Sequence, residues 1–279
     1  MRALPASVFG PARLVEVWNL AYAGYFVPMS WGVEQLERHV LAGSVDLDRS
    51  LVWCADDEPI ALSLLGVRPS STGEHGWIGG FGVVPAHRGR GLSVGLMREH
   101  LEHLRSVGPR RVQLEVLTQN WAVRSYERAG FTTTRRLTVL RGELLRTGAG
   151  SSARWVTLDQ LPDLAGQLDR LHTAYPAAWT REPAAVLVAG ADLECLAVGP
   201  VDDLDAVALI GAGPGPVRIV EAAAHDADAA RELVAGLSLA RPGQPCALVN
   251  EPDGSPLVGA LRDAGIEEVM AQHEMHWQA

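Results

Sequence analysis

The sequence has 279 residues, 47% hydrophobic and 20% charged, enough chain for two buried cores. Its 24 basic residues are all Arg, and the net charge is −9; divided near residue 150, the first part has 17 Arg against 14 acidic residues and the second 7 against 19. The acidic second part excludes a basic stripe for nucleic acid along the chain, while the first part suits an anionic ligand.

Cys54, Cys195 and Cys246 are odd in number, widely separated and set among apolar residues, so they are expected as buried free thiols in a reducing cytoplasm. The opening residues "MRALPASVFGPARL" lack an apolar run of signal-peptide length. No stretch approaches the roughly 18 apolar residues of a membrane span, so a cytoplasmic protein without membrane contact is expected.

In chain order, apolar periodicity predicts helices at 11–22 and 32–42 around an aromatic loop, then strands at 50–55, 60–68 and 76–84 with "DDEP" as a hairpin turn. A long helix over 92–106 carries Leu92, Leu96, Met97, Leu101 and Leu104 on one face. A strand at 111–117, a helix at 121–129 and a strand at 131–140 follow. The sum is an α+β domain on a mostly antiparallel sheet.

Between the third strand and the long helix stands "PAHRGRGLSVGLM", residues 85–97. The first N–H groups of a helix have no partner inside it, and glycines before them remove side chains that would block an approaching anion. Arg88 and Arg90 add positive charge, so this turn reads as a phosphate site, the alternative being an ordinary strand-to-helix connection.

"GGFGVVPAHRGRGLS" followed by "SYERAGF" resembles the acetyl-CoA-binding core of the GNAT superfamily of acyl-CoA-dependent N-acyltransferases. The signature Arg/Gln-x-x-Gly-x-Gly/Ala falls on Arg88, Gly89, Arg90, Gly91, Leu92 and Ser93, with Ser at the last place. The resemblance implies that backbone amides from Arg88 through Ser93 hold the CoA pyrophosphate. It also implies that Val83 and Val84 pair with the pantetheine arm as an added strand, and that acetyl-CoA is the co-substrate.

The same resemblance makes Tyr126 the proton donor to the departing thiolate, a role a phenol can fill because it keeps its proton at neutral pH. Aromatic packing is the alternative. The family's Asn falls by spacing on Gln119, with Asn120 one place later, and either amide could bind CoA. The predicted strand "GWIGGFGVV" has no carboxylate to act as base. Glu115, opposite in facing to Leu114, is a candidate for that role or a structural ion pair; His87 and the pair Glu74–His75 are fallbacks. No metal is expected.

"NLAYAGYFVPMSW" gathers Tyr22, Tyr25, Phe26, Met29 and Trp31 where the family roofs its acceptor pocket, an arrangement suited to an apolar or cationic amine or to burial against the rest of the chain.

The second half repeats landmarks of the first. "SWGVEQLERHVLAG" (30–43) answers to "AWTREPAAVLVAG" (178–190), "VVPAHRGRGL" (83–92) to "EAAAHDADAA" (221–230), and "SYERAGFTTT" (125–134) to "ALRDAGIEEV" (260–269). Two tandem GNAT-like domains are therefore expected, 1–146 and 154–279, joined by a small polar linker at 147–153. In this alignment Asp226 and Asp228 replace Arg88 and Arg90, and Leu261 replaces Tyr126, so the second copy is expected to be non-catalytic. The expected function is N-acetyl transfer to a small-molecule or peptide amine. A non-catalytic CoA-binding protein is the alternative, and the oligomeric state, a homodimer included, stays open.

Overall fold

The protein, seen in a computed structural model, is described at residues 1–147, 150–213 and 215–279. It divides into two compact units, Met1–Thr134 with His273–Ala279, and Arg135–Gln272.

The first unit runs β1 (Arg2–Pro5), α1 (Pro11–Ala21), α2 (Val33–Ala42), β2 (Leu51–Ala55), β3 (Glu58–Ser70), β4 (Gly73–Val83), α3 (Leu92–Val107), β5 (Arg111–Leu117) and α4 (Ala122–Ala129). Strands β1 to β4 pair antiparallel in sequence order, and β4 pairs with β5 in parallel. Most elements follow the apolar periodicity. Met97, Leu101 and Leu104 of α3 are buried against Val112, Leu114 and Phe131, and Leu96 against Trp53 and Ile60, as the helical stripe requires. On the other face, Leu14, Val17 and Trp18 of α1 and Leu36 of α2 cover Val52, Leu62 and Leu64. The β2–β3 turn places Asp56 and Asp57 in the left-handed region that a two-residue hairpin needs and that Asp tolerates. β1 was not expected; four residues are too few to show a period.

The second unit repeats this order: β7 (Arg154–Val156), α5 (Leu164–Leu171), α6 (Pro183–Val186), β8 (Leu193–Val198), β9 (Ala206–Gly211), β10 (Val217–Ala224), α7 (Ala227–Ala240), β11 (Pro245–Pro252) and α8 (Pro256–Asp263). Here too three antiparallel pairings lead to one parallel pairing, β10 with β11.

The units differ from the expected domains in where the chain divides. Two long strands, β6 (Thr132–Glu143) and β12 (Ile266–Gln278), are each shared. Leu137–Glu143 pairs with β11 in the second unit, whereas the tail from His273 lies beside β5 in the first. In the first unit Thr132 and Thr134 donate side-chain hydrogen bonds to the carbonyls of His276 and Glu274. A division at 147–153 therefore gives way to one at Thr134, with the last seven residues returned to the first unit. Of the expected linker, Gly148 and Ala149 lie outside the described residues. Ser151 and Ser152 are bound to Glu232 on α7, which makes their segment part of the second unit.

All three cysteines are buried thiols without disulfides. Among the described residues no helix is long and apolar enough to cross a membrane.

One buried histidine sets a pH limit on the first unit. His100 is fully buried, its two nitrogens bound to Ser63 Oγ and the Arg49 carbonyl at 2.9 Å each, and burial lowers its pKa to about 4. Both folded and unfolded forms are neutral above the unfolded value near 6.5. As pH falls from there towards 4, the unfolded chain takes a proton that the folded one refuses, and stability is lost, on the order of 3 kcal/mol. Urea midpoints should drop between pH 7 and pH 5, and the drop should shrink in His100→Gln.

In the second unit, the β10–β11 register runs from Val217↔Cys246 to Ile219↔Leu248. Just beyond it Arg181 is enclosed by Glu221 and Glu251. It donates to Glu221 through Nε at 2.8 Å and to the Ala222 carbonyl at 2.7 Å, and it also pairs with Glu251. His172 adds a 2.6 Å contact to Glu221. Burial alone would lower His172, but its hydrogen bond to Glu221 and that carboxylate's charge outweigh burial and raise it. All four groups are buried. Arg181→Met leaves Glu251 without its cation and Glu221 with His172 alone, and a loss of about 3–5 kcal/mol in urea unfolding is expected; a loss below about 1 kcal/mol would contradict the buried pairing.

Candidate active site

The glycines of "GWIGGFGVV" on β4 are there because side chains have no room. A Cβ on Gly79 would sit 2.2 Å from the Trp77 ring, and one on Gly80 would sit 2.4 Å from Trp18. β3 and β4 slip register between Leu64 and Leu65, leaving Gly79 as the extra residue of a bulge. The parallel β4–β5 ladder covers only His75↔Arg111 to Trp77↔Gln113. Beyond Trp77 the two strands part, and the outer edge of β4 faces the parting.

At the end of that edge the chain turns through residues 84–91 into α3. Gly89 and Gly91 have φ of +75° and +73°, the left-handed region that makes glycine the fitting residue. Gly91 is the N-cap of α3 and brings no side chain to its amides, and space beside both glycines is open. Gly91, Leu92 and Ser93 thus frame an uncapped helix N-terminus, suited to an anion. Ser93 Oγ bonds Ser125 of α4 at 3.1 Å.

Two expectations about this turn are revised. Arg88 does not aim its guanidinium at an incoming phosphate. It donates to the carbonyls of Val83 and Ala21, both at 2.8 Å, and so fastens the turn to β4 and α1. Arg90 is exposed and remains the side-chain cation of the turn. Val83 and Val84 do not both face the open edge, because the Val84 N–H is bound inward to the Ile60 carbonyl at 2.8 Å. Alternation directs Val83 outward, with its carbonyl already held by Arg88.

Tyr126 projects from α4 into the same region. It is buried, with its ring centroid 6.1 Å from Phe81 and 6.0 Å from Phe131. Burial, and then the neighbouring Tyr25, raise its pKa well above the ordinary phenol value, so the proton is firmly held. Tyr22 lies close by. Its hydroxyl accepts from the Phe81 N–H at 3.1 Å, and burial followed by Tyr126 and Tyr25 raises it strongly.

Of the two amide candidates, Asn120 joins this cluster. Its Nδ2 donates to the Tyr25 hydroxyl at 3.3 Å, and its Oδ1 accepts from the Ala122 N–H at 2.9 Å at the start of α4. Gln119 is exposed, beside Thr118. Glu115 lies at the apex of the parting, where its Oε2 accepts from the Trp77 indole at 2.6 Å. The fallback Glu74–His75 sits at the far end of β4, six residues from Gly80 and so about 20 Å away. Glu74 is paired there with Arg49. His87 lies in the short turn before Arg88, beyond the end of β4.

The aromatic loop is clamped onto α1. Trp18 Nε1 donates to the Met29 carbonyl at 2.9 Å, Asn19 exchanges hydrogen bonds with the Trp31 backbone, and the Trp18 and Trp31 rings stack at 3.9 Å. Tyr22 and Tyr25 belong to the cluster around Phe81. Phe26, expected with them, is half exposed, touching Tyr25 edge-on. A residue the sequence did not single out, His39 of α2, packs among Trp18, Trp31 and Trp77. Its signal was only a histidine on the inner face of a predicted helix, too common to stand out.

The second unit lacks the equivalent turn. β10 reaches α7 through two residues, His225 and Asp226, against eight between β4 and α3. Asp226 is the N-cap of α7 and therefore corresponds to Gly91, not to Arg88 as the sequence alignment had it. Its Oδ1 accepts from the Asp228 and Ala229 amides at 3.0 and 2.9 Å, the donors an anion would use. Leu261 of α8 is buried where α4 has Tyr126.

A strand edge that parts from its parallel neighbour, a glycine turn into an uncapped helix and a buried phenol together form the candidate site of the first unit. Residues 14–131, most of the first unit, match the model of the acetyltransferase (GNAT) family, and this match supports an acyltransferase. No curated protein matches the sequence. Among solved structures, the chain is similar to a GCN5-related N-acetyltransferase from Sphaerobacter thermophilus (14% identity, TM-score 0.66, covering 99% of this chain and 95% of that one). It is also similar to one from Kribbella flavida (17%, 0.63, 99% and 70%). A tandem GNAT protein from the clavulanic acid biosynthesis pathway matches at 12% and 0.64, covering 99% and 98%. At these identities the likeness is one of fold, and it extends over both units.

Proposed function

We propose that the chain moves an acetyl or short acyl group from CoA directly to an amine, with all of the CoA chemistry in the first unit. The observation that carries this reading is the contrast between the two strand-to-helix turns: an eight-residue glycine turn before an uncapped α3, against two residues and a self-capped α7. In this reading the amides around Gly91 to Ser93 bind the pyrophosphate, Arg90 adds charge, and the outward edge of β4 near Val83 takes the pantetheine arm. Asn120 and Tyr126 then stand near the thioester.

The amine nitrogen attacks the carbonyl carbon, the C–S bond breaks, and Tyr126 gives its proton to the thiolate. A buried phenol with a raised pKa is a weak acid, so it gives up its proton only as the thiolate develops beside it, where the same burial raises the proton affinity of the sulfur. The second unit, its parting filled by Arg181, Glu221 and Glu251, binds no CoA. The acceptor is a small-molecule or peptide amine, and the aromatic residues around Tyr22 and Trp31 favour an apolar or cationic one.

Calorimetric titration with acetyl-CoA, followed by thiol release against a panel of amines, tests the reading. One site per chain and release with at least one amine are expected. No binding removes the reading, and binding without release over a broad panel turns it into the CoA-binding alternative.

A further inference from the structure

His39 has no part in the scheme above, yet it is a half-buried histidine with an unused, buried nitrogen beside the reacting strand. Nε2 is buried and makes no hydrogen bond among the described residues. The other side of the ring bonds the backbone of Gly79, the bulged residue of β4, in a sense that favours a proton on that nitrogen. Nε2 is thus left with a lone pair. An orphaned polar atom in so apolar a setting costs stability, and it calls for an explanation.

The surroundings supply one. Ring centroids of Trp18, Trp31 and Trp77 lie 5.5, 4.9 and 5.5 Å from the imidazole. Burial lowers its pKa to about 4, so it is neutral and able to accept at pH 7. The ionisable groups behind those rings are Tyr22, stacked on Trp18 at 4.3 Å, and Glu115, bound to the Trp77 indole. Three indole faces form a surface that an imidazolium meets favourably once a proton arrives. Along β4, His39 stands at Gly79, Trp18 and Tyr22 at Gly80, and Tyr22 and Tyr126 at Phe81. A proton acceptor and a proton donor therefore flank three consecutive residues of one unpaired strand edge.

We propose that His39 Nε2 is the general base of the acyl transfer, accepting the proton of the attacking nitrogen. The inference rests on the acyltransferase reading above. As the N–C bond forms, the nitrogen becomes cationic and strongly acidic, so even a weak base can take its proton. The C–S bond breaks, the thiolate takes the Tyr126 proton, and the enzyme resets when His39 releases a proton to solvent and Tyr126 regains one. The net change is amine plus acetyl-CoA to amide plus CoA thiol. This accounts for the lack of a carboxylate in the stretch of β4 from Gly76 to Val83. Glu115 then orients Trp77 and does not itself take the proton.

The test compares wild type with His39→Gln and His39→Ala, using benzylamine, tyramine and spermidine as probe amines and water as the always-present nucleophile. Nitrogen-15 NMR of the wild-type imidazole should show an unprotonated Nε2 at pH 7 and a cationic ring only below about pH 5. His39→Gln should lower thiol release by about 100-fold with acetyl-CoA affinity unchanged. Added imidazoles should restore rate to His39→Ala in order of their basicity, which a structural role does not predict. An Nε2–H tautomer at pH 7, or equal thiol release in wild type and His39→Gln, overturns the inference. A wild type that does not bind acetyl-CoA overturns the acyltransferase reading on which it rests.

Discussion

Tyr126→Phe is expected to lower thiol release from acetyl-CoA by about 100- to 1000-fold, while acetyl-CoA affinity stays within about twofold of wild type. The change deletes one oxygen and leaves the ring between Phe81 and Phe131, so the packing that holds α4 survives. What is lost is the proton for the thiolate. Loss of general acid catalysis should also make the rate depend on the leaving thiol, so an activated thioester with a more acidic thiol should be transferred with a smaller deficit. An equal deficit for both thioesters would assign Tyr126 to packing. Tyr22, whose hydroxyl is bound to the Phe81 amide, gives a useful contrast: Tyr22→Phe removes that bond without removing the proposed donor.

The second large effect is expected at the turn. Gly91→Asp gives α3 the N-cap residue that α7 has in Asp226, and should weaken acetyl-CoA binding about 30- to 100-fold, the equivalent of roughly 2–3 kcal/mol. Asp tolerates the left-handed backbone there better than most residues, and the space beside Gly91 is open, so the fold should survive. Its carboxylate would meet the pyrophosphate as a like charge and could bind the amides the phosphate needs. Gly91→Asn carries the same shape without the charge and separates repulsion from strain: calorimetry should rank wild type first, Asn second and Asp last. An Asp variant that binds as wild type does would place the pyrophosphate elsewhere. Arg88→Asp is a poorer probe, since Arg88 ties down the Val83 and Ala21 carbonyls and its loss would disturb the turn itself.

Much of the site was legible because it depends on local chemistry. The glycine turn needs two left-handed residues and a helix behind it, and "HRGRGLS" states both. Tyr126 is fixed by its place in α4, one turn before the left-handed Gly130 that ends that helix. Side-chain partners were less legible. Arg88 reads as a free cation in sequence, and only the approach of the α1 C-terminus to the end of β4 gives its guanidinium two carbonyls to hold. His39 reads as one more helix residue until three tryptophans from different elements close around it.

By itself the sequence determined two α+β copies, the helical stripe of α3, the buried thiols and the glycine turn into α3, because each follows from hydrophobic period, residue size or backbone freedom within a short window. Tertiary structure alone decided where the units divide, since strand exchange depends on which distant edges pair, with residues 137–143 going to β11 and the tail from His273 to β5. It also decided how the two strand-to-helix turns differ: element ends showed a connection six residues shorter in the second unit with Asp226 as a cap, where letter-by-letter alignment read a reversal of charge. A gap leaves no residues to read, and it becomes visible only when a strand end and a helix start are fixed in space.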